Sequence, residues 1–397
     1  MTGPLPLFAR GMLDDAAVFP PGLAPLPDAV VAHRGHEAAW YGGLVGPLVI
    51  AGSALGELAE VLRADGAAGG PARGSGDGDS AAGGSGAEGS AAGGAAAAVS
   101  AAGGAAVEAS VAGGAAAVSA AGGSAAGGQL RLALTFPGGP ARVAEALEAC
   151  AALPVSLAAL EIAVPEGMEP GELLAALDTA IPEAAEAAGL EVFVEIPRDA
   201  RRDPLLAALA GTRYRAKFRT GGVRAELYPD EAELAAAVLV AVEAGVPFKA
   251  TAGLHHALRN TDPETGFEQH GFLNLLLAAD AAGRATEEAA ADRSGVAGET
   301  AAAQAADQAG ADRASAAGAG EAAAAQAAAD RTGAVETIRD LLAERDGAVV
   351  AGRVRELGPE RTAAARARFT SFGTCSVTDP LTELAGLGLL TEPGGAA

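Results

Sequence analysis

The sequence predicts an α/β protein of the (β/α)8 TIM-type barrel class, with an N-terminal extension and two low-complexity insertions. Apolar strand-like runs alternate with helical runs along the chain, which favours parallel strands joined by helical crossovers. The strands are apolar on both faces, as expected where helices cover a sheet. Without the biased stretches, roughly 280 of the 397 residues remain, a common size for one barrel.

The predicted elements follow one another in regular order. Residues 47–52 predict a strand, and residues 54–64 a helix with leucines at helical spacing. Further strands are predicted at 130–136, 155–164, 190–196, around Lys217, around Lys249 and at 369–376, and a short one at Ala348 to Ala351 brings the count to eight. The other helices are predicted at 140–152, 170–188, 203–210, 229–244, 270–282, 336–345, 359–366 and from 379 onward.

A doubly wound open sheet is the alternative to the closed barrel. No Gly-x-Gly-x-x-Gly motif follows an early strand, so the dinucleotide-binding form of that sheet is disfavoured. Residues 1–45 precede the first of these strands and include a turn-rich stretch at 14–22. We expect them to form an extension that packs over one end of the barrel, and residues 46–397 to form a single barrel domain.

Two insertions interrupt the predicted barrel. Residues 65–128 are nearly all Gly, Ala and Ser and repeat the pentad Ser-Ala-Ala-Gly-Gly. Because this stretch lacks large side chains, it cannot form a hydrophobic core, and a disordered, flexible insertion is expected. Residues 283–335 are rich in Ala, Glu, Gln and Asp. Alanine favours helix, so this insertion is expected to be partly helical, without an apolar stripe that could dock on the barrel.

Composition limits the partners of the protein. The net charge is −23, which argues against nucleic acid or an anionic membrane surface as the main partner. No apolar run approaches the roughly 20 residues of a membrane span, and the first residues lack the pattern of a signal peptide. Two distant cysteines, Cys150 and Cys375, do not make a disulfide framework, so a cytoplasmic location is expected.

Only two lysines occur in the chain, Lys217 and Lys249, whereas 25 positions carry arginine. Arginine stays charged in proteins, but a lysine in a cleft can lose its proton and act as a nucleophilic amine or a base. Both lysines lie near the ends of strand-like runs, where the active sites of (β/α)8 enzymes are found. The sequence therefore predicts a lysine-dependent site at the carboxyl ends of the strands.

Other polar residues lie near the same strand ends. Glu161 and Glu195 interrupt apolar strands, and buried charges are costly unless they are paired or face a polar cleft. We therefore predict Lys217, Lys249, Glu161 and Glu195 as catalytic residues. The alternative is a buried ion-pair network that closes the barrel end. For a small anionic substrate, with phosphate or carboxylate, the predicted binding residues are Arg219, Thr251, Gly253, His255, His256, His270, Gly373, Thr374 and Ser376.

The segments Lys217-Phe-Arg-Thr-Gly-Gly and Lys249-Ala-Thr-Ala-Gly lie 32 residues apart on successive predicted strands. This arrangement resembles class I aldolases of the deoxyribose-phosphate aldolase type, which are (β/α)8 barrels. The resemblance implies that one lysine forms a Schiff base with a carbonyl substrate and that the other tunes it. A carboxylate such as Glu161 or Glu195 would then move protons. Arg219 stands where that family has a small residue, and His255 and His256 also depart from its pattern.

Two other functions stay open at this point. One is a barrel enzyme that uses acid–base or metal chemistry without a covalent lysine. Histidines with Glu161 and Glu195 have donor atoms for a divalent metal, but no short ligand-spacing motif is present, so no cofactor is predicted. The other is a noncatalytic barrel that binds a small anion. His33 and His36, at helical spacing, are expected on a partly exposed helix face.

Overall fold

The computed structural model describes residues 5–68, 129–306 and 313–392. Within these residues, eight parallel strands close into a barrel with helices between them, so the predicted (β/α)8 fold is confirmed. Each strand pairs with the next along the chain, and the last pairs with the first. The strands are β1 Leu13–Asp15, β2 Val45–Ala51, β3 Leu130–Phe136, β4 Val155–Ala163, β5 Glu191–Glu195, β6 Arg215–Arg219, β7 Phe248–Thr251 and β8 Phe369–Thr374.

Helices surround the barrel. In the described residues they are α1 Leu26–Ala38, α2 Leu55–Ala68, α3 Val143–Ala151, α4 Pro170–Ala180, α5 Glu183–Ala187, α6 Arg202–Leu209, α7 Glu231–Glu243, α8 Phe272–Ala306, α9 Arg313–Ala343, α10 Gly347–Glu356, α11 Gly358–Arg368 and α12 Thr378–Gly386. A short antiparallel hairpin, Asn260–Thr261 with Glu268–Gln269, lies in the connection between β7 and α8.

The first barrel strand comes from the segment before residue 45. Leu13–Asp15 pairs in parallel with β8 on one side and with β2 on the other. The strand predicted at Ala348 to Ala351 is wrong, because these residues lie in α10, whose first turn is capped by the Asp346 carboxylate. A run of four apolar residues fits either a strand or one turn of a helix, so periodicity alone does not separate the two.

The barrel interior is apolar below the charged residues. Val49, Ala133, Ala159 and Phe193 point into the barrel from four successive strands and pack together. Side chains on the opposite faces of the strands are buried under the helices. Because strand side chains alternate between the two faces, the residues two positions further toward the carboxyl ends of these strands also point inward. The apolar layer is thus the floor of the candidate site.

The two insertions differ in how far the structure describes them. The predicted flexible insertion at 65–128 lies outside the described residues, except for positions 65–68, which complete α2. The insertion at 283–335 is helical where it is described, in α8 and α9. Its last part docks on the barrel, since Arg331 forms a 2.9 Å ion pair with Glu243 of α7. No helix in the described ranges has the length and apolar character needed to cross a membrane.

Candidate active site

Charged side chains from five strands meet inside the carboxyl half of the barrel. Lys217 on β6 and Lys249 on β7 are paired in register, so both amines project inward at the same level. The structure thus brings together all four residues predicted as catalytic. We call the whole set the interior cluster: Asp14, Glu161, Glu195, Lys217, Arg219, Lys249 and Ser371.

Lys249 is the most enclosed member of the cluster. Its side chain has almost no exposed surface, and its Nζ donates to Asp14 Oδ2 and Glu161 Oε1, each at 2.5 Å. The amine also lies 5.1 Å from the centre of the Phe193 ring, a favourable cation–π distance. Burial would lower the pKa of Lys249, but the charges and hydrogen bonds of Asp14 and Glu161 outweigh it and raise that pKa. Lys249 is therefore a fixed cation.

Glu161 connects the two lysines. Its Oε1 accepts from Lys249, and its Oε2 accepts from Lys217 Nζ at 3.0 Å. Burial would raise the pKa of Glu161, but the two ammonium groups and their hydrogen bonds lower it to about 2. Glu161 is ionised at neutral pH and serves as the common counter-ion of both amines.

Exposure increases from Lys249 toward β5 and β6. The side chain of Lys217 is 7% exposed, that of Glu195 20% and that of Arg219 37%. Glu195 links the other two, because its Oε2 lies 3.0 Å from Lys217 Nζ and its Oε1 accepts from Arg219 Nε at 2.8 Å. Burial would raise the pKa of Glu195, but Lys217 and Arg219 outweigh it and lower that pKa. The cluster therefore opens to solvent beside β5 and β6.

A second row of residues lies one step closer to the carboxyl ends of β6, β7 and β8. Arg219 pairs in register with Thr251, and Thr251 pairs with Gly373. These residues lie two positions beyond Lys217, Lys249 and Ser371 on their own strands, so they share the inward face. Three of the predicted binding residues are thus adjacent and lie directly above the lysines.

Gly253 follows β7 in a tight contact with the loop after β6. Its φ is +74°, in the left-handed region that favours glycine, and the preceding Ala252 has φ +65°. A Cβ at Gly253 would lie 2.8 Å from the Tyr228 ring and 3.0 Å from Gly221 Cα. Packing thus explains the glycine at this position, whether or not its backbone also contacts a ligand. A non-glycine residue in the left-handed region, as at Ala252, is a strained conformation of the kind found at functional sites.

The three late histidines do not form one group. His255 Nδ1 lies 3.3 Å from Cys375 Sγ, and burial followed by the charge of His256 lowers the pKa of His255. His256 pairs with Glu383 of α12, whose hydrogen bond raises the pKa of His256. His270 is fully buried and contacts the carbonyl of Pro229 through Nε2, and burial lowers its pKa to about 4. The partners of His256 and His270 are protein groups outside the interior cluster.

Thr374 and Ser376 are occupied by local contacts. Thr374 is fully buried and its Oγ1 donates to the carbonyl of Ser376. Ser376 Oγ accepts from the backbone amide of Asp379 at 3.3 Å, near the start of α12. These two hydroxyls therefore hold the turn after β8.

Sequence reasoning did not find Asp14 as a site residue. Asp14 lies on β1, almost fully buried, and its Oδ2 accepts from Ser371 Oγ at 2.8 Å as well as from Lys249. A signal was present, since Asp14 follows the apolar pair Met12 and Leu13 as the other acidic residues follow apolar runs. The expectation of a partly exposed His33 is wrong, because its ring is fully buried against Asp15, with Nδ1 at 3.0 Å from Oδ2.

The fold and the interior cluster together define the class, a (β/α)8 barrel with a charged interior at the carboxyl ends of its strands. Comparisons with protein-family models, with curated proteins and with solved structures each found no match to this chain. Among the described residues, no group of three or more His, Cys, Asp and Glu side chains has the arrangement to hold a metal ion.

Proposed function

We propose that this protein is a cytoplasmic Schiff-base lyase of the aldolase type that acts on a small anionic carbonyl compound. The observation that carries the proposal is the Glu161 carboxylate between two amines, one enclosed and one nearer the opening. Lys217 is the amine that reacts, since it is the more exposed of the two and borders Glu195 and Arg219. Lys249 serves as the fixed cation beside it.

The chemistry preserves the charges of the cluster. The ammonium form of Lys217 and a carbonyl compound give an iminium ion and one water molecule, so one positive charge is present before and after the reaction. Glu161 and Glu195 therefore keep a cationic partner in the covalent intermediate. A neutral product at Lys217 would leave buried carboxylates without that partner, at a large energetic cost.

Glu195 is suited to proton transfer at Lys217. The amine gives up a proton before it attacks, and a proton is needed again when the carbinolamine hydroxyl leaves as water. Glu195 lies 3.0 Å from Lys217 Nζ and is more exposed than Glu161. The pKa of both carboxylates is lowered, but Glu195 lies nearer the opening and can hold the proton between the two steps, whereas Glu161 is enclosed between two ammonium groups.

A second candidate function is a noncatalytic barrel that binds a small anion. The pairing within the cluster favours it, because three carboxylates and three cations are matched and the pKa of Lys249 is raised. In that case the cluster is a structural network and ligand binding needs no covalent lysine.

Borohydride trapping separates the two functions. Small aldehydes and ketones, with and without an anionic group, are incubated with the protein and reduced, and the intact mass is measured. The lyase proposal predicts one reduced adduct per chain with at least one anionic compound, no adduct in Lys217→Arg, and a slower but detectable adduct in Lys249→Arg. If no compound gives an adduct while anions still bind to Lys217→Arg, the noncatalytic barrel is the better description.

A further inference from the structure

The row above the lysines fits one particular substrate class. We propose that Arg219 and Thr251, beside the open position at Gly373, bind the carboxylate of a 2-oxo acid whose keto carbon reacts with Lys217. This inference rests on the proposed Schiff-base function and narrows it from anionic carbonyl compounds to acids in which the two groups are directly bonded.

The separation between Lys217 and Arg219 sets the size of the substrate. One carboxylate, that of Glu195, contacts Lys217 Nζ at 3.0 Å through one oxygen and Arg219 Nε at 2.8 Å through the other. The gap between Lys217 Nζ and Arg219 Nε is therefore the width of a carboxylate with a hydrogen bond on each side. In a 2-oxo acid the carbon bonded to the amine is attached directly to the carboxylate, so the acid spans the same gap.

Arg219 has donors left for a ligand. Its Nε is engaged by Glu195, and in the described part of the chain its two terminal nitrogens make no hydrogen bond to protein. The side chain is 37% exposed, so these donors lie where the cluster opens. A guanidinium with two free nitrogens makes strong, directed hydrogen bonds to a carboxylate.

Thr251 and Gly373 complete the subsite. Thr251 lies beside Arg219 in register, and within the described residues its hydroxyl makes no hydrogen bond to protein. Gly373 lies on the other side of Thr251 and leaves the space of a side chain open. A Cβ at Gly373 would meet Thr251 Cγ2 at 3.5 Å and Ala16 Cβ at 3.9 Å, so an alanine fits without a clash and fills that space.

The same geometry disfavours phosphorylated substrates. In a phosphate ester of a hydroxyketone, at least one carbon and one oxygen separate the keto carbon from phosphorus. With the keto carbon at Lys217, the phosphate would therefore extend past Arg219 into solvent. The hydroxyls of Thr374 and Ser376, which lie further along the chain after β8, already have protein partners. Carboxylate is thus the anion that this row accommodates.

Schiff-base formation at Lys217 releases one water molecule. The ammonium of Lys217 and the keto group of a 2-oxo acid form a carbon–nitrogen double bond, and the keto oxygen leaves as water with two of the protons from nitrogen. The carboxylate is unchanged and stays paired with Arg219. No oxidant or reductant takes part until borohydride is added for trapping.

Three methyl ketones test the inference by borohydride trapping: pyruvate, which carries a carboxylate, acetone, which carries no anion, and hydroxyacetone phosphate. We expect pyruvate to form the adduct at least about tenfold faster than acetone, which corresponds to about 1.4 kcal/mol. Arg219→Met, Thr251→Val and Gly373→Ala should each slow trapping of pyruvate more than that of acetone. Arg224→Met, which removes another exposed arginine after β6, is the matched control and should change neither.

The outcomes distinguish failure of the carboxylate subsite from failure of the lyase proposal on which it rests. If acetone or hydroxyacetone phosphate is trapped as fast as pyruvate, the carboxylate subsite is wrong and the lyase proposal stands. If Arg219→Met slows pyruvate and acetone equally, Arg219 acts only through Glu195, and the subsite is again wrong. If none of the three compounds forms an adduct, the carboxylate subsite is wrong, and the wider panel of aldehydes and ketones decides the lyase proposal.

Discussion

Replacing Glu161 by glutamine should destabilise the folded barrel in a pH-dependent way. Glu161 is buried and bonded to both lysines, which lower its pKa from 4.5 to about 2. A difference of that size between unfolded and folded states corresponds to about 3 kcal/mol of folding stability at neutral pH. Glu161→Gln removes this contribution and leaves the lysines with Asp14 and Glu195.

The pH dependence has a definite sign. A carboxyl with a depressed folded-state pKa contributes stability that is complete above the unfolded value of 4.5 and is lost as the pH falls through about 2. The difference between wild type and Glu161→Gln should therefore be about 3 kcal/mol at pH 7 and roughly half of that at pH 3. Urea unfolding, followed by circular dichroism at both pH values, measures it.

A matched control is Glu145→Gln. Glu145 forms an exposed pair with Arg142 one helical turn away, and such pairs add little to stability. We expect no resolvable change in that variant. A destabilisation by Glu161→Gln that is the same at pH 7 and pH 3, or that is no larger than the effect of Glu145→Gln, would refute the assignment of Glu161 as the ionised centre of the cluster.

Two further predictions concern groups outside the cluster. Burial lowers the pKa of His270 from 6.5 to about 4, so the folded protein keeps the neutral imidazole while the unfolded chain takes up a proton. The contribution of His270 to the free energy of unfolding is therefore complete above pH 6.5 and falls by about 2 kcal/mol at pH 5. His270→Gln should remove this loss in urea unfolding, and an unchanged pH profile would contradict it. Iodoacetamide should label Cys375 before Cys150 in the native protein. Burial raises the pKa of both thiols, but Cys150 is buried, with a pKa of about 11, and Cys375 is partly exposed. Peptide mass spectrometry gives the order of labelling, and earlier labelling of Cys150 would contradict the prediction.

Most of the fold could be predicted because each β/α repeat has its own pattern. Long apolar runs such as Leu130–Phe136 have the length of a strand, and helices such as Glu231–Glu243 have apolar residues at helical spacing. The first strand was harder to find. Leu13–Asp15 has three residues, two of them acidic, and it becomes a strand because it closes the gap between β8 and β2.

The candidate site was predictable in part for a related reason. Glu161, Lys217 and Lys249 are charges within apolar strands, and the pleat places such residues inside a closed barrel. Their pairings depend on register between strands, which one sequence does not give. Asp14 was missed because its strand was missed.

The histidines show where adjacency in sequence misleads. His255 and His256 are neighbours, yet one contacts Cys375 and the other Glu383. Neighbouring residues in a loop take independent directions, so their partners depend on how β8 and α12 pack beside them. His270 was predicted to open a helix and bind an anion and is instead fully buried, two residues before α8 begins.

We infer that Lys217 is the reactive amine and Lys249 its fixed neighbour. Peptide mass spectrometry of the borohydride-reduced adduct distinguishes the two amines, because the two lysines are the only ones in the chain and lie 32 residues apart. We expect the added mass on the peptide that contains Lys217 and none on the peptide that contains Lys249. An adduct on Lys249, whose amine is enclosed by Asp14 and Glu161, would show that Lys217 is not the reactive amine.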